Sequence, residues 1–331
     1  MPKYIVHIGP PKTATTFLQS NFTALAPWLA QNGVLYPTDL GTPGHANLPR
    51  MLTEPDAETR LKPIFAEFNA GPAHTILLSA EDLAPLRRQG IETLRRLIGQ
   101  NLVYIVYYCR RWSEMIRSRW GERVKHGSDI TLIDSFQEAI DTPFKVGAIN
   151  YDLALTRWTR TFGMAALRVV SLNVLSDTNR EVLGHFLQSQ LGLAFDRPPP
   201  EGAQNMSMSL TDTEILRALN ALHIAAGNKP SAHIRRAFVR SRKSLDFNQT
   251  SAAIGADMTE IIFDESRPRM LKIHREMFDK YAFAMVPPAL DGLFFQPGRA
   301  IIPAPGANYL KNPAVHQELS AAYARLAAMK V

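Results

Sequence analysis

The segment His7-Ile8-Gly9-Pro10-Pro11-Lys12-Thr13-Ala14-Thr15-Thr16 lies close to the amino terminus of the chain. The apolar stretch Lys3–Ile8 predicts a buried strand, and apolar residues at helical spacing follow the segment. Glycine and two prolines between them predict a tight loop. The first amides of a helix lack partners within the helix, and the helix dipole favours negative charge there. The segment therefore predicts a strand, a loop and a helix that bind a phosphate.

The side chains of this loop add donors for an anion. Lys12 supplies a full positive charge, and three threonines supply hydroxyl groups: Thr13, Thr15 and Thr16. The alternative is a plain corner between a strand and a helix, with an exposed lysine. Adjacent prolines followed by lysine and threonines are unusual in such a corner, so we favour the phosphate-binding interpretation.

The loop differs from the Walker A motif of nucleoside-triphosphate-binding proteins. That motif has a glycine, four residues, and then Gly-Lys-Ser/Thr. Gly9 lies only three residues before Lys12, and the residue preceding the lysine is Pro11, which has no amide hydrogen. The sequence therefore disfavours a kinase that uses a nucleoside triphosphate.

Apolar runs alternate with helical patterns along the first half of the chain. Besides Lys3–Ile8, the predicted strands are Val34–Tyr36, Thr75–Ser79, Leu102–Tyr108 and Leu167–Val174. Strands that are apolar throughout and separated by helices form parallel sheets covered on both faces. The sequence therefore predicts an α/β fold with three layers, α/β/α, around a central, mostly parallel sheet.

The pattern changes after Gly192. Residues 197–200 predict a proline-rich linker, and residues 211–281 predict helices without a convincing strand. Residues 287–305 are rich in proline and glycine and predict a long loop or lid. We therefore expect an α/β core over residues 1–192 and a mostly helical C-terminal addition over residues 193–331, packed on that core.

Composition narrows the class of protein. The 331 residues are 46% hydrophobic, and the formal net charge of +7 suits an anionic ligand. Basic residues are interleaved with acidic ones, so nucleic acid is not an expected partner. The single cysteine, Cys109, can form neither an internal disulfide nor a thiolate zinc site, and we expect it to be buried. Without a secretory signal or an apolar run of ~18 residues, the predicted location is cytoplasmic.

A second motif follows the strand Leu102–Tyr108. Arg110 comes directly after Cys109, and Ser118 lies eight residues further on, in a predicted helix over Trp112–His126. An arginine fork binds phosphate oxygens at two points, and open α/β sheets bind ligands at the carboxyl ends of their strands. The pair therefore predicts a second phosphate site. Arg111 is the alternative if the register shifts by one residue.

The two motifs together resemble those of sulfotransferases that use 3′-phosphoadenosine-5′-phosphosulfate (PAPS). Pro11-Lys12-Thr13-Ala14-Thr15-Thr16-Phe17 is similar to the family's 5′-phosphosulfate loop, usually Pro-Lys-Ser/Thr-Gly-Thr-Thr and a large residue. Ala14 departs from it, because the family usually has glycine there. Segments 32–37 and 79–83 resemble bacterial members, and the resemblance covers about residues 3–192.

This resemblance implies a fold like that of P-loop nucleoside triphosphate hydrolases and a sulfuryl transfer that needs no metal. Lys12 would stabilise the leaving phosphate, and Thr15 and Thr16 would hold the 5′-phosphate. Phe17 would lie near the adenine or, equally, serve as a core aromatic of the first helix. Arg110 and Ser118 would hold the 3′-phosphate. The acceptor would be a hydroxyl of a small molecule or a glycan, in a pocket formed with the helical addition, and 3′-phosphoadenosine-5′-phosphate (PAP) would be the product.

An acceptor hydroxyl also needs a general base. His45 lies in a loop bounded by glycine and proline, and the pKa of histidine suits this role at neutral pH. Glu81 lies just after the strand Thr75–Ser79 and would need partial burial to raise its pKa. We slightly favour His45 and keep Glu81 as the alternative.

Two further interpretations remain open at this stage. The chain could be a non-catalytic binder of nucleotides or polyanions that has kept the fold, or a phosphoryl-transfer enzyme. The latter is disfavoured because the long strand ends in Cys109-Arg110, where a metal-binding aspartate would be expected. The chain also has a basic stretch at 235–243, which we interpret as the solvated face of a helix. The alternatives are that it contacts an acidic acceptor or the nucleotide.

Overall fold

The computed structural model describes residues 1–41, 44–142, 150–177, 181–195, 208–264, 267–284 and 298–329. One sheet contains five strands: β1 (Lys3–His7), β2 (Val34–Leu35), β3 (Thr75–Ser79), β4 (Val103–Cys109) and β5 (Leu167–Ser171). Their order is β2-β3-β1-β4-β5, and every neighbouring pair is parallel. All five predicted strands are therefore present, but the last one ends at Ser171, and residues 172–174 of the predicted strand Leu167–Val174 belong to a helix instead.

Helices lie between and after these strands along the chain. The first ten are α1 (Thr15–Ala24), α2 (Ala26–Gln31), α3 (Leu48–Met51), α4 (Ala57–Ala70), α5 (Arg88–Ile98), α6 (Trp112–Lys125), α7 (Leu132–Asp141), α8 (Tyr151–Phe162), α9 (Leu172–Asp177) and α10 (Val182–Phe186). The later elements are α11 (Leu210–Ala225), α12 (His233–Ser241), α13 (Asn248–Ala256), β6 (Met258–Asp264), α14 (Pro268–Tyr281), β7 (Arg299–Pro305) and α15 (Pro313–Ala327). No helix in these ranges has the length and apolar character that crossing a membrane would require.

The chain forms two compact units. The first contains residues within 1–111, 150–205 and 268–297, and it holds the parallel sheet. On one face of this sheet, Ile5 and Val106 join a buried cluster with Phe22 of α1 and Phe186 of α10. On the other face, Tyr4 stacks on Phe65 of α4, with ring centroids 6.2 Å apart. Helices thus cover both faces, and the predicted three-layer α/β/α fold is confirmed.

The second unit contains residues within 112–149, 206–267 and 298–331. The units are therefore interleaved along the chain, whereas the sequence suggested one division after Gly192. In the second unit β6 and β7 form an antiparallel ribbon, with Ile261 opposite Ile302. The prediction of helices without a strand over 211–281, followed by a loop over 287–305, was wrong at these two strands, and the part of that loop over 287–297 lies outside the described residues. The partners lie far apart in the chain, and Pro303 and Pro305 in β7 usually count against a strand.

Candidate functional site

The loop between β1 and α1 is a tight turn with unusual backbone angles. Lys12 has φ +72° and Ala14 has φ +61°, so both non-glycine residues lie in the left-handed region. Gly9 has φ +84°, and a Cβ there would lie 3.0 Å from the Cα of Glu81. Only glycine combines this conformation with so close an approach. The loop is thus closed against the chain that leaves β3.

Ala14 is the residue that precedes α1, and its backbone adopts the left-handed conformation. Glycine adopts this conformation without steric cost, whereas an L-residue loses about 1–2 kcal/mol. The family's usual glycine would therefore suit this backbone better than the alanine that is present. The loop keeps its shape in spite of this local cost.

We expect Ala14→Gly to raise the free energy of unfolding by about 0.5–1 kcal/mol, because relief of this strain exceeds the entropy that glycine adds to the unfolded chain. Urea denaturation would measure the change. Ala30→Gly, at an exposed position within α2, is the matched control and should lower stability instead. If both substitutions lowered stability alike, the left-handed conformation of Ala14 would be contradicted.

The amino terminus of α1 has open backbone donors. The first amide bonded within the helix is that of Leu18, which donates to the Ala14 carbonyl at 2.9 Å. The amides of Thr15, Thr16 and Phe17 come before it, and no side chain in the described ranges caps this end of the helix. Unpartnered amides at the positive end of a ten-residue helix favour an anion.

Two of the three threonine hydroxyls of this segment, those of Thr13 and Thr15, already have partners. Thr13 is buried, and its Oγ1 donates to the Pro10 carbonyl at 2.6 Å, which closes the loop. Thr15 is also buried, and its Oγ1 donates to Oε2 of Glu81 at 2.7 Å. A hydroxyl has one hydrogen to donate. Each of these two can therefore donate to a phosphate only by giving up its present bond, whereas the helix amides need no such exchange.

Glu81 joins the carboxyl end of β3 to the loop. It lies two residues after β3, at the start of a short 3-10 helix, Glu81–Leu83. Its backbone packs against Gly9, and its carboxylate accepts the hydrogen bond from Thr15. The side chain is partly exposed. The structure thus brings the predicted residue Glu81 to the loop that contains Lys12.

Arg110 lies directly after the carboxyl end of β4 and contacts the same loop. Its Nη1 donates to the Lys12 carbonyl at 3.2 Å, so the guanidinium contacts the loop directly. Its backbone is held by Tyr151 of α8, whose hydroxyl donates to the Arg110 carbonyl and accepts from the Arg110 amide at 3.3 Å. The next amide, of Arg111, donates to Oδ1 of Asn173 at 2.6 Å.

Tyr151 and Asn173 are contributors that the sequence analysis did not identify. Both are buried, and they follow Arg110 in the chain at a distance of about 40 and 60 residues. Tyr151 also packs edge-on against Tyr107 of β4, with ring centroids 5.8 Å apart. No local pattern marks a tyrosine or an asparagine as the partner of a distant backbone segment. The parallel connections of the sheet bring them there.

His45 occupies a different environment from the one expected. It is buried; its Nδ1 accepts from the Ser79 amide at 2.8 Å, and its Nε2 lies 2.5 Å from the Pro37 carbonyl. Burial lowers the pKa of His45 to about 4. Both nitrogens are engaged, and a base with so low a pKa accepts a proton poorly at neutral pH. The geometry therefore weighs against the predicted base role of His45.

Ser79 also binds a second buried histidine, which the sequence analysis did not single out. His7, the last residue of β1, places Nδ1 2.8 Å from the Ser79 hydroxyl oxygen. Burial lowers the pKa of His7 to about 3, so the ring is neutral. The two histidines thus fasten the ends of β1 and β3, directly before the residues that form the loop.

The remaining predicted residues lie on the loop, on α1, on β4 and on α6. Phe17 is in the first turn of α1, partly buried against the apolar cluster below that helix. Pro11 and Thr16 are partly exposed in the loop and first turn. Ser118 is on α6 in the second unit, so its predicted role stays a prediction. Cys109 is buried, as expected, and burial raises the pKa of its thiol.

Metal ligands do not gather at this site. Within the described ranges, no group of three or more histidine, cysteine, aspartate or glutamate side chains is arranged to hold a metal ion. Charged residues on the loop or in contact with it include Lys12, Glu81 and Arg110. This set suits an anionic ligand together with one group able to accept a proton.

Comparisons with known proteins add little to this geometry. No family model matches the chain, and no curated protein matches it. Among solved structures, the chain is similar to the crystal structure of a sulfotransferase from Alicyclobacillus acidocaldarius, at 12% identity and a TM-score of 0.38. The similarity covers 69% of this chain and 97% of that chain. Similarity at this level does not assign a function.

Proposed function

We propose that the chain is a PAPS-dependent sulfotransferase that transfers a sulfuryl group to an acceptor hydroxyl. The observation that supports this most is the meeting of Lys12, the uncapped amino terminus of α1, Glu81 and Arg110 at the carboxyl ends of β1, β3 and β4. Ligands of open α/β sheets bind at this edge. Groups that can donate hydrogen bonds to an anion lie there beside one carboxylate. The reaction requires both, because it needs a site for the phosphates and a base for the acceptor hydroxyl.

The proposed reaction is an in-line transfer. The acceptor oxygen forms a bond to sulfur while the bond between sulfur and the bridging phosphate oxygen breaks, and the electron pair of that bond stays on the phosphate. Negative charge therefore grows on the leaving oxygen, where a fixed positive charge lowers the barrier. Lys12 and the first amides of α1 are proposed to meet this charge. The acceptor's proton passes to a base, and PAP and the sulfated acceptor are released.

Glu81 is the proposed base. Its carboxylate already contacts Thr15 at the start of α1, where the 5′-phosphate would bind. His45 is the weaker candidate, since its Nδ1 accepts the Ser79 amide and its ring is buried. The acceptor itself is proposed to be a hydroxyl of a small molecule or a glycan. A non-catalytic nucleotide binder would not need a carboxylate beside the anion donors.

Arg110 is proposed to bind the 3′-phosphate. Its guanidinium reaches the loop, and the Tyr151 hydroxyl is hydrogen-bonded to both its amide and its carbonyl. Such support fixes where an arginine fork can bind. Ser118, on the helix that follows, stays the sequence prediction for a second donor to this phosphate.

We expect adenosine 3′,5′-bisphosphate to raise the melting temperature more than adenosine 5′-phosphate does, and Arg110→Ala to remove this difference. Tyr151→Phe removes only the hydroxyl, and should reduce the difference by loosening Arg110. Arg111→Ala is the control, because this neighbour is the alternative in a shifted register. Equal shifts by the two nucleotides in the unaltered protein would contradict the proposed 3′-phosphate site.

A further inference from the structure

The exposed side of α12 has a row of positive charge. Arg236 and Arg240 are exposed on this helix, and Lys243 is exposed in the single 3-10 turn, Arg242–Ser244, that continues it. Residues spaced by four and three lie on one side of a helix. At 1.5 Å per residue the row is about 10 Å long. It belongs entirely to the second unit.

These cations have no acidic partners among the described residues. The nearby acid Asp212 is bound by Arg242 at 2.7 Å. Asp246 uses its carboxylate to accept the amide of Asn248 at 3.0 Å. A fourth exposed cation, Arg325 of α15, contacts the same turn through the Ser244 carbonyl at 3.3 Å. Positive charge therefore accumulates along this row instead of being neutralised.

The opposite side of α12 is buried, and this keeps the row of cations on the exposed side of the helix. Ile234, Ala237 and Phe238 are buried, so the helix cannot turn its basic side inward. Phe247 lies beneath it too, and the Arg242 guanidinium covers both rings, 5.9 Å from the centroid of Phe238 and 5.5 Å from that of Phe247. Val239, 59% exposed, is the only large apolar side chain described as exposed on this helix.

We propose that this row, Arg236, Arg240 and Lys243 with Arg325, binds an acidic polysaccharide. A linear polyanion can follow a straight row of cations and bind through charge alone. A single-stranded nucleic acid would gain from exposed aromatic rings, but Phe238 and Phe247 are covered. An anionic membrane would gain from several exposed apolar side chains along the row, and Val239 is the only large one described as exposed on α12. The proposal does not depend on sulfuryl transfer.

The test measures equilibrium binding of the full chain, without nucleotide, to fluorescently labelled polygalacturonate. We expect binding that weakens as salt is raised, and Arg236→Glu/Arg240→Glu to lower the affinity on the order of tenfold or more, because attraction becomes repulsion. Lys62→Glu/Arg160→Glu is the charge-matched control at exposed cations of the first unit, and should change the affinity less than about twofold. Uncharged dextran should not bind.

Three outcomes would overturn the proposal. The first is equal loss in the two double variants, which would mean that net charge alone attracts the polymer. The second is binding to a labelled oligonucleotide or to vesicles with anionic lipid, but not to polygalacturonate. The third is unchanged binding in the α12 variant when its melting temperature matches that of the unaltered protein. Because no donor nucleotide is present, failure here leaves the proposed transfer reaction to its own tests.

Discussion

Replacement of Lys12 by alanine is expected to slow sulfuryl transfer by about 10²–10³-fold, the loss typical when one preorganised donor to a developing negative charge is removed. The ammonium group of Lys12 supplies the full positive charge on the loop between β1 and α1. The helix amides would still bind the 5′-phosphate of the nucleotide. Binding of PAP should therefore weaken less than the rate falls.

The backbone at this position makes the substitution a clean one. Lys12 has φ +72°, and its carbonyl accepts from Arg110. Alanine has a Cβ as lysine does, so the conformational cost and this hydrogen bond are both retained. We therefore expect the melting temperature of Lys12→Ala to stay close to that of the unaltered protein. Lost activity can then be assigned to the missing charge.

Initial rates with radiolabelled donor and a panel of hydroxyl acceptors would measure this effect. Lys62→Ala, an exposed lysine on α4, is the matched control and should leave the rate unchanged. A transfer rate in Lys12→Ala equal to that of the unaltered protein would contradict the proposed mechanism. A panel on which the unaltered protein transfers nothing, although it binds PAP, would favour the non-catalytic interpretation.

The parts of the fold that the sequence predicted are those that local patterns determine. Each strand of the parallel sheet is a short apolar run, so its position follows from hydrophobicity and flanking turns alone. The loop was recognised because its residues are contiguous, from Gly9 to Thr16. Arg110 could be placed near it because parallel strands present their carboxyl ends at one edge.

The features that escaped prediction depend on distant pairings. The register that joins Ile261 of β6 to Ile302 of β7 connects segments separated by a helix, and neither strand has a strong pattern by itself. Tyr151 supports Arg110 through its hydroxyl, and nothing in either local sequence signals the contact. His45 has the residue type of a base, but only the fold reveals that the Ser79 amide occupies its lone pair.

Glu81→Gln is the substitution that separates the two candidates for the base. The amide oxygen of glutamine can still accept the hydrogen bond from Thr15, which is 2.7 Å long in the structure, and the side chain keeps its size. The ability to take a proton is lost, together with one negative charge near the proposed phosphate site. Because general base catalysis contributes about 10²–10⁴-fold, we expect transfer to fall by that factor, whereas PAP should raise the melting temperature at least as much as before.

Asp82→Asn is the matched control, since this neighbouring acid is exposed and the same atom exchange is made one residue away; its rate should be unchanged. His45→Asn tests the rival directly. It removes bonds to Ser79 and Pro37 in a buried place, so it should lower the free energy of unfolding while the folded fraction keeps its rate. The opposite pattern, full activity in Glu81→Gln and loss of rate in a folded His45→Asn, would return the base role to His45. The hydrogen bond between Thr15 and Glu81 would then have a purely structural role, fastening α1 to the end of β3.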